Sequence, residues 1–315
     1  MAPMADVTDV AFRALVAKCG APDVFWTEFV SADGLYHTRE IQKMPDEENP
    51  LMRDLAFSAA ERPILAQLFS SDPAMMAYAA KLVADLGFDG IDLNMGCPDR
   101  SIERQGCGSA MIKTPEIARA VIRAAREASG LPVSVKTRVG YNRESLDEWL
   151  PALLKESPAA ITLHLRTRKE MSLVPADWKL MRKAVEIRNR VNPNVLLIGN
   201  GDVTSIEEGR RLVAEAGCDG AMIGRGMFGN PWIFAGRKAD ETPLALKLAA
   251  LIELAHSFEK ISPPKNFAIL KKHTKAFVTG FDGAAHLRAK LMEAESATEL
   301  EALVVQHAPI EYTLH

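Results

Sequence analysis

The sequence predicts an α/β protein, a TIM (β/α)8 barrel with a C-terminal all-helical domain, and three observations carry that prediction. Short apolar runs alternate with amphipathic stretches eight times before Phe234. Nearly every run ends on polar residues or glycine. After Phe234 the runs cease and helical stretches follow one another, which divides the chain into a barrel domain, 1–236, and a helical domain, 237–315. Eight βα units in roughly 235 residues suit a barrel of about 250 residues. A doubly wound open sheet is the competing architecture.

The elements follow in order. Ala2–Ala5 reads as the tail of a first strand, and Thr8 or Asp9 as the cap of an amphipathic helix reaching Cys19. Hardly any strand precedes Pro3, so the first strand is very short or begins upstream. Val24–Phe29, Ile64–Phe69 and Gly90–Gly96 are the next strands, with helices from Ser31 and over Pro73–Leu86. Val133–Arg138, Ile161–Thr167, Val195–Gly201 and Gly220–Gly226 continue the series. Helices are predicted between them around Pro115–Ala128, Leu146–Lys155, Lys179–Asn189 and Ser205–Ala216. In the tail they fall over Pro243–Lys260, Phe267–Thr279, Ala284–Ala294 and Ala297–Gln306, with joints at Pro263-Pro264 and Gly280–Gly283.

Composition narrows the class. With 48% hydrophobic and 25% charged residues, the chain of 315 residues reads as an ordinary soluble globular protein. No run approaches the roughly 20 apolar residues of a membrane span. Cys19, Cys97, Cys107 and Cys218 are scattered at no zinc spacing, so no metal site is expected and a reducing cytoplasm is the expected compartment. A net charge of −3 gives no global signature of nucleic-acid binding. Locally, Lys260 to Lys290 holds seven bases (Lys260, Lys265, Lys271, Lys272, Lys275, Arg288, Lys290) against the single acid Asp282. That stretch is a basic face or merely a solvated helix surface.

If the strands close, their carboxyl ends gather Pro3 and Met4, Glu28, Gln67, Asn94 with Cys97, Lys136 with Arg138, His164 with Arg166, Asn200 to Asp202, and Gly224-Arg225. In barrels the loops after strands seven and eight commonly hold a phosphate, and here they read GNGD and GRG. Lys136 either meets an anion or snorkels to solvent. Gln67 suits the edge of a flat heterocycle such as flavin, or is a satisfied core amide. Together these groups point to flavin mononucleotide rather than a dinucleotide, since no GxGxxG follows the first strand. Cys97, between Gly96 and Pro98, can be a nucleophile, a metal ligand, an acid or a structural thiol. An ordinary thiol, with a pKa near 8.5, is protonated at neutral pH and can act as an acid without tuning. The other three cysteines sit among small or apolar residues and read as structural.

The chain resembles the tRNA-dihydrouridine synthases. The matching stretches are APMADVTDVAFR at Ala2–Arg13, AQLFSSDP at Ala66–Pro73, DLNMGCP at Asp92–Pro98, VKTRVG at Val135–Gly140, HLRTR at His164–Arg168, GNGDV at Gly199–Val203 and GRGMFGNPW at Gly224–Trp232. KKHTKAFVTGFDGAAHLRAKLMEA in the tail is similar to that family's helical domain. The resemblance implies an FMN-dependent barrel that uses NADPH to reduce the C5=C6 bond of particular uridines in tRNA; a monomer is expected. It implies that Cys97 is the catalytic acid that protonates C5 and that Asn94 holds the uracil edge. Pro3, Met4, Ala5, Gln67, Lys136, His164, Asn200, Gly201, Asp202, Gly224 and Arg225 would hold the flavin, and Arg166 and Arg168 would face the substrate. The target base must leave the tRNA stack. The basic face, with Lys271, Lys272, Lys275 and Arg288, would then bind phosphates.

Three departures from the family pattern stand out. About ten residues that usually precede APM are missing; Leu165 stands where glycine is usual; Ser172 and Val174 stand where Tyr and Gly are frequent. The last two border the expected uracil pocket. Two other readings compete. One is a flavin enzyme acting on free pyrimidines, which would lack the basic helical tail. The other is a non-catalytic tRNA binder, which would have lost the thiol or the flavin contacts.

Overall fold

Seven short runs of alternating character become seven parallel strands, β1 (Phe25–Ser31), β2 (Ile64–Phe69), β3 (Gly90–Met95), β4 (Val133–Arg138), β5 (Ala160–His164), β6 (Leu196–Asn200) and β7 (Gly220–Met222). They pair in sequence order into one curled sheet. This computed structural model describes residues 1–307; residues 308–315, the end of the expected helical domain, lie outside the described residues.

Before β1 lies α1 (Val10–Gly20), and between the strands lie α2 (Ala32–Tyr36), α3 (Pro50–Asp54), α4 (Pro73–Asp85), α5 (Arg100–Glu103), α6 (Pro115–Ser129), α7 (Leu146–Leu154), α8 (Lys179–Val191) and α9 (Ile206–Ala216). Local chemistry explains their ends. Asp9 caps α1 by accepting from the Phe12 N–H, and α6 starts on proline and stops at Gly130, whose φ is 66°. In α6 the apolar stripe Ala118, Val121, Ile122, Ala125 is buried.

The strand period decides which groups face inward. In β4, Val133, Val135 and Thr137 lie on one face, and the Trp149 indole of α7 donates to Thr137 Oγ1 at 3.1 Å. Ser134, Lys136 and Arg138 lie on the other. Register pairs Asp92 with Ser134, Asn94 with Lys136, and Arg138 with His164, so these polar side chains line the inside of the curl. The outer face supplies the apolar core shared with the helices.

The expected first strand, with its tail at Ala2–Ala5, is absent. Single bonds replace a ladder: the Ala2 N–H donates to Ile223 O at 2.7 Å, and the Met1 amine to Val24 O at 3.2 Å. The reason is local, because Pro3 has no N–H and the chain turns at Asp6, where φ is 55°. Met1 and Ala2 therefore span the gap between β7 and β1 without forming a strand.

After β7 come α10 (Leu244–Glu259), α11 (Lys271–Phe277), α12 (Ala284–Leu291) and α13 (Ala297–His307). The single helix expected over Phe267–Thr279 is a 3-10 turn, Phe267–Leu270, followed by α11. These helices share the barrel's core: α10 packs on α1, and buried His273 of α11 stacks on Phe12 at 4.6 Å between ring centroids. No helix among the described residues is long and apolar enough to cross a membrane.

Candidate active site

The carboxyl ends of the strands enclose a cavity of about 500 Å3. It is lined by Pro3 and Met4, Gln67, Asn94 with Cys97, Lys136, His164, Arg166, Asn200 to Asp202, and Gly224-Arg225, all singled out in the sequence. Ala5 is not on its wall; it lines a second cavity of about 250 Å3 beside it, with Glu28 and Lys265.

Cys97 follows β3, on a loop tied from both sides. Its N–H donates to Asn94 Oδ1 at 3.0 Å, and its carbonyl accepts from the Ser109 N–H and Oγ, each at 2.9 Å. Gly108 is required there: its φ is 61°, and a Cβ would come within 2.7 Å of Cys97 O. The thiol packs beside Phe29, Phe69, Ile102 and Cys107, and burial pushes its pKa up, so it stays protonated at neutral pH. It is the one cysteine on the cavity wall among the described residues; Cys107 and Cys218 are buried, and Cys19 is half-buried on α1.

Lys136 is half-buried inside the curl and donates to Asn200 Oδ1 at 3.2 Å. Burial, with Arg138 nearby, lowers its pKa to about 8. Its charge there is costly unless an anion joins it. His164 is held neutral by burial and by Lys136, Arg138 and Arg166 around it. Since an arginine can only donate, the 3.1 Å contact from Arg166 makes His164 Nε2 an acceptor and places the ring proton on Nδ1.

Several predicted substrate groups are bonded to other parts of the chain. Arg166, expected to face the substrate, is buried. It is spent on Val174 O at 2.6 Å, His164 and Asp202. Arg168 lies off the cavity, paired with Glu103 and set over the Tyr141 ring. Asn94, expected at the uracil edge, lines the cavity but also holds the Cys97 turn. Burial works against the charge of Asp202, yet bonds from Arg166 and the Ala176 N–H, with Arg225 close, bring its pKa to about 2. Arg225 donates to the same carboxylate at 2.6 Å.

Sequence reading passed over two groups. Phe29, at the end of β1, lines the cavity. Arg138 appears among the strand-end residues but had no assigned role; it bonds Gly96 O at 2.8 Å, Thr167 O and Met171 O, and so ties the loops after β3 and β5 together. Its position at the end of β4, two residues beyond Lys136, was the available signal.

The basic face is smaller than the sequence implied. Lys265 is buried against Glu28 at 2.5 Å and Asp54 at 3.2 Å, and Lys272 meets Asp6 at 3.1 Å. Arg288 donates to Val278 O at 2.8 Å, and Lys290 pairs with Glu293. Lys260, Lys271 and Lys275 pair with no acid among the described residues. Counting acids within the segment missed partners that come from elsewhere in the chain.

Fold and site together define a barrel-type α/β protein with its main cavity at the carboxyl ends of the strands. Comparison with solved structures gives the same fold. Histamine dehydrogenase from Rhizobium sp. 4-9 matches with a TM-score of 0.54 at 15% identity over 85% of this chain, and a 2-naphthoyl-CoA reductase matches at 0.54 and 8% over 74%. This chain spans about half of each, 48% and 46%. In sequence, the family model for dihydrouridine synthase matches residues 1–312. A probable tRNA-dihydrouridine synthase of Staphylococcus aureus (strain COL) is 38% identical over 96% of this chain and 91% of its own length. Probable tRNA-dihydrouridine synthase 2 of Bacillus subtilis (strain 168) is 40% identical over 96% and 92%. The chain belongs to the dihydrouridine synthase family and is an oxidoreductase.

Proposed function

We propose that the cavity binds FMN and that the chain reduces the C5=C6 bond of uridines in tRNA at the expense of NADPH. The observation that carries this reading is a protonated, half-buried thiol, Cys97, on the wall of a cavity that also holds the half-buried cation Lys136. The site fits the cofactor, because the Lys136 cation and the turns at Gly201 and Gly224-Arg225 lie on the same wall. Gln67, Lys136, His164, Asn200 and these turns would hold FMN, which when bound supplies a hydride to C6 of the uracil. Cys97 Sγ–H gives its proton to C5, and the thiolate left behind takes a proton from solvent. Arg138 and Asn94 hold the loop that presents the thiol. Residues 237–315 form the RNA-facing part, with Lys260, Lys271 and Lys275 on its open surface.

The test is the visible spectrum of the purified protein, followed anaerobically as NADPH and then unmodified tRNA are added. A flavin spectrum bleached by NADPH and restored by tRNA is the expected outcome. Restoration by free pyrimidines alone would make it a small-molecule reductase. No flavin after reconstitution would overturn the assignment. Cys97→Ala should keep flavin binding and its reduction by NADPH while losing uridine reduction; normal turnover on tRNA would remove the thiol from the acid role.

A further inference from the structure

We propose that Asp92 is a positioning residue that sets the donor polarity of the cavity floor, turning the Gln67 and Asn94 carboxamides so that each keeps an N–H group for a ligand. Asp92 sits inside the curl on β3, 0% exposed and off the cavity wall, and the proposed reaction gives it no role. Its Oδ1 accepts from Ser134 Oγ at 2.5 Å and its Oδ2 from Gln67 Nε2 at 2.5 Å. Burial pushes the Asp92 pKa up, against which the bonds from Ser134 and Gln67, the nearby Lys136 charge and the Trp26 indole N–H all work.

A carboxylate only accepts, so the nitrogen of Gln67 must face Asp92 and its oxygen must face away. That oxygen takes Asn94 Nδ2 at 3.2 Å. Asn94 is fixed from its other end as well, because its Oδ1 accepts the N–H groups of Gly96 at 3.2 Å and Cys97 at 3.0 Å. With an acceptor at one end and backbone donors at the other, each amide satisfies the chain in one orientation. One N–H of Gln67 and one of Asn94 are left over, and both residues line the cavity. Lys136 and the Nδ1–H of His164 add donors to the same enclosure. A floor of donors selects a flat ligand edge rich in carbonyl oxygens, and buried donors left unpaired penalise anything else. This rests on the proposed function only for the identity of that ligand as FMN.

The test exchanges the polarity of one bond while keeping charge and partners. In Asp92→Asn/Gln67→Glu, Asn at 92 still accepts from Ser134 and donates to Glu at 67, whose second oxygen still accepts from Asn94. The cavity-facing N–H of Gln67 is lost, and the negative charge moves from position 92 to position 67, with the net charge unchanged. We expect this variant to fold and to keep the wild-type rate of Cys97 alkylation, but to bind FMN at least tenfold more weakly when the apoprotein is titrated. Asp92→Ala should weaken FMN binding similarly, whereas Ser134→Ala, which leaves the Gln67 bond in place, should stay within twofold. Wild-type affinity in the exchanged variant, or equal losses for Ser134→Ala and Asp92→Ala, would overturn the proposal. Should the variants fail to fold, side-chain amide exchange of Gln67 in the unmodified protein decides it: slow exchange supports the hold by Asp92, and exchange as fast as that of surface glutamines refutes it. If the unmodified protein binds no FMN, the proposed cofactor fails, while the amide measurement still tests Asp92.

Discussion

Cys97 is where local sequence and environment converge. Gly96 and Pro98 end β3, and burial of the thiol then keeps its proton in place. In the apoprotein its alkylation by iodoacetamide should therefore be slow at neutral pH and rise only above the ordinary thiol range. Fast alkylation at pH 7 would show a thiolate and remove the general-acid reading. Residue types at the site were legible from strand ends and turn residues. Their partners were not: Arg166 and Arg168 have the composition of substrate-binding arginines, yet their donors go to His164, Asp202 and Val174 in one case and Glu103 in the other. Those partners lie between 2 and 65 residues away, beyond what spacing can reveal.

Among the elements, β6 and its turn depend on one close approach. A Cβ on Gly199 would lie 2.4 Å from the Trp178 ring, whose Nε1–H donates to Gly201 O at 2.9 Å. Gly199→Ala is expected to push that indole aside, at a cost of about 1–3 kcal/mol for overpacking, and to weaken flavin binding through the displaced turn. Thermal unfolding and flavin titration check the two effects separately. Helix α1 is anchored by Arg13, 0% exposed, whose Nε meets Glu61 at 2.5 Å and whose Nη1 donates to Thr8 O at 2.8 Å. Glu61→Ala strands that guanidinium inside the core and should cost about 3–5 kcal/mol in urea unfolding. A loss under 1 kcal/mol would show that water or another acceptor replaces the carboxylate.

Across the whole molecule, the tail helices and the barrel are joined by buried polar contacts as well as by shared core. Lys265 links the segment before α11 to Glu28 and Asp54, and His273 bonds Val7 O at 3.1 Å. Burial lowers the His273 pKa from 6.5 to about 4. The unfolded chain then binds a proton that the folded one refuses, so stability is full above about pH 6.5 and falls as pH drops toward 4. That is a loss of about 3 kcal/mol from this group alone. His273→Phe should flatten the slope of urea-unfolding free energy against pH over that window while lowering stability at pH 7 through the lost bond. An unchanged slope would place the acid sensitivity elsewhere. The sequence by itself determined the βα alternation, seven of the eight strands, the helical tail and the residues at the cavity mouth, because period, capping and turn chemistry act within a few residues. The tertiary structure alone decided that Met1 and Ala2 close the curl without a strand, which arginines are bonded to other parts of the chain, and which lysines stay unpaired. It also decided how the amides of Gln67 and Asn94 face. Each of these depends on atoms brought together across long stretches of chain, where burial makes a missing partner expensive.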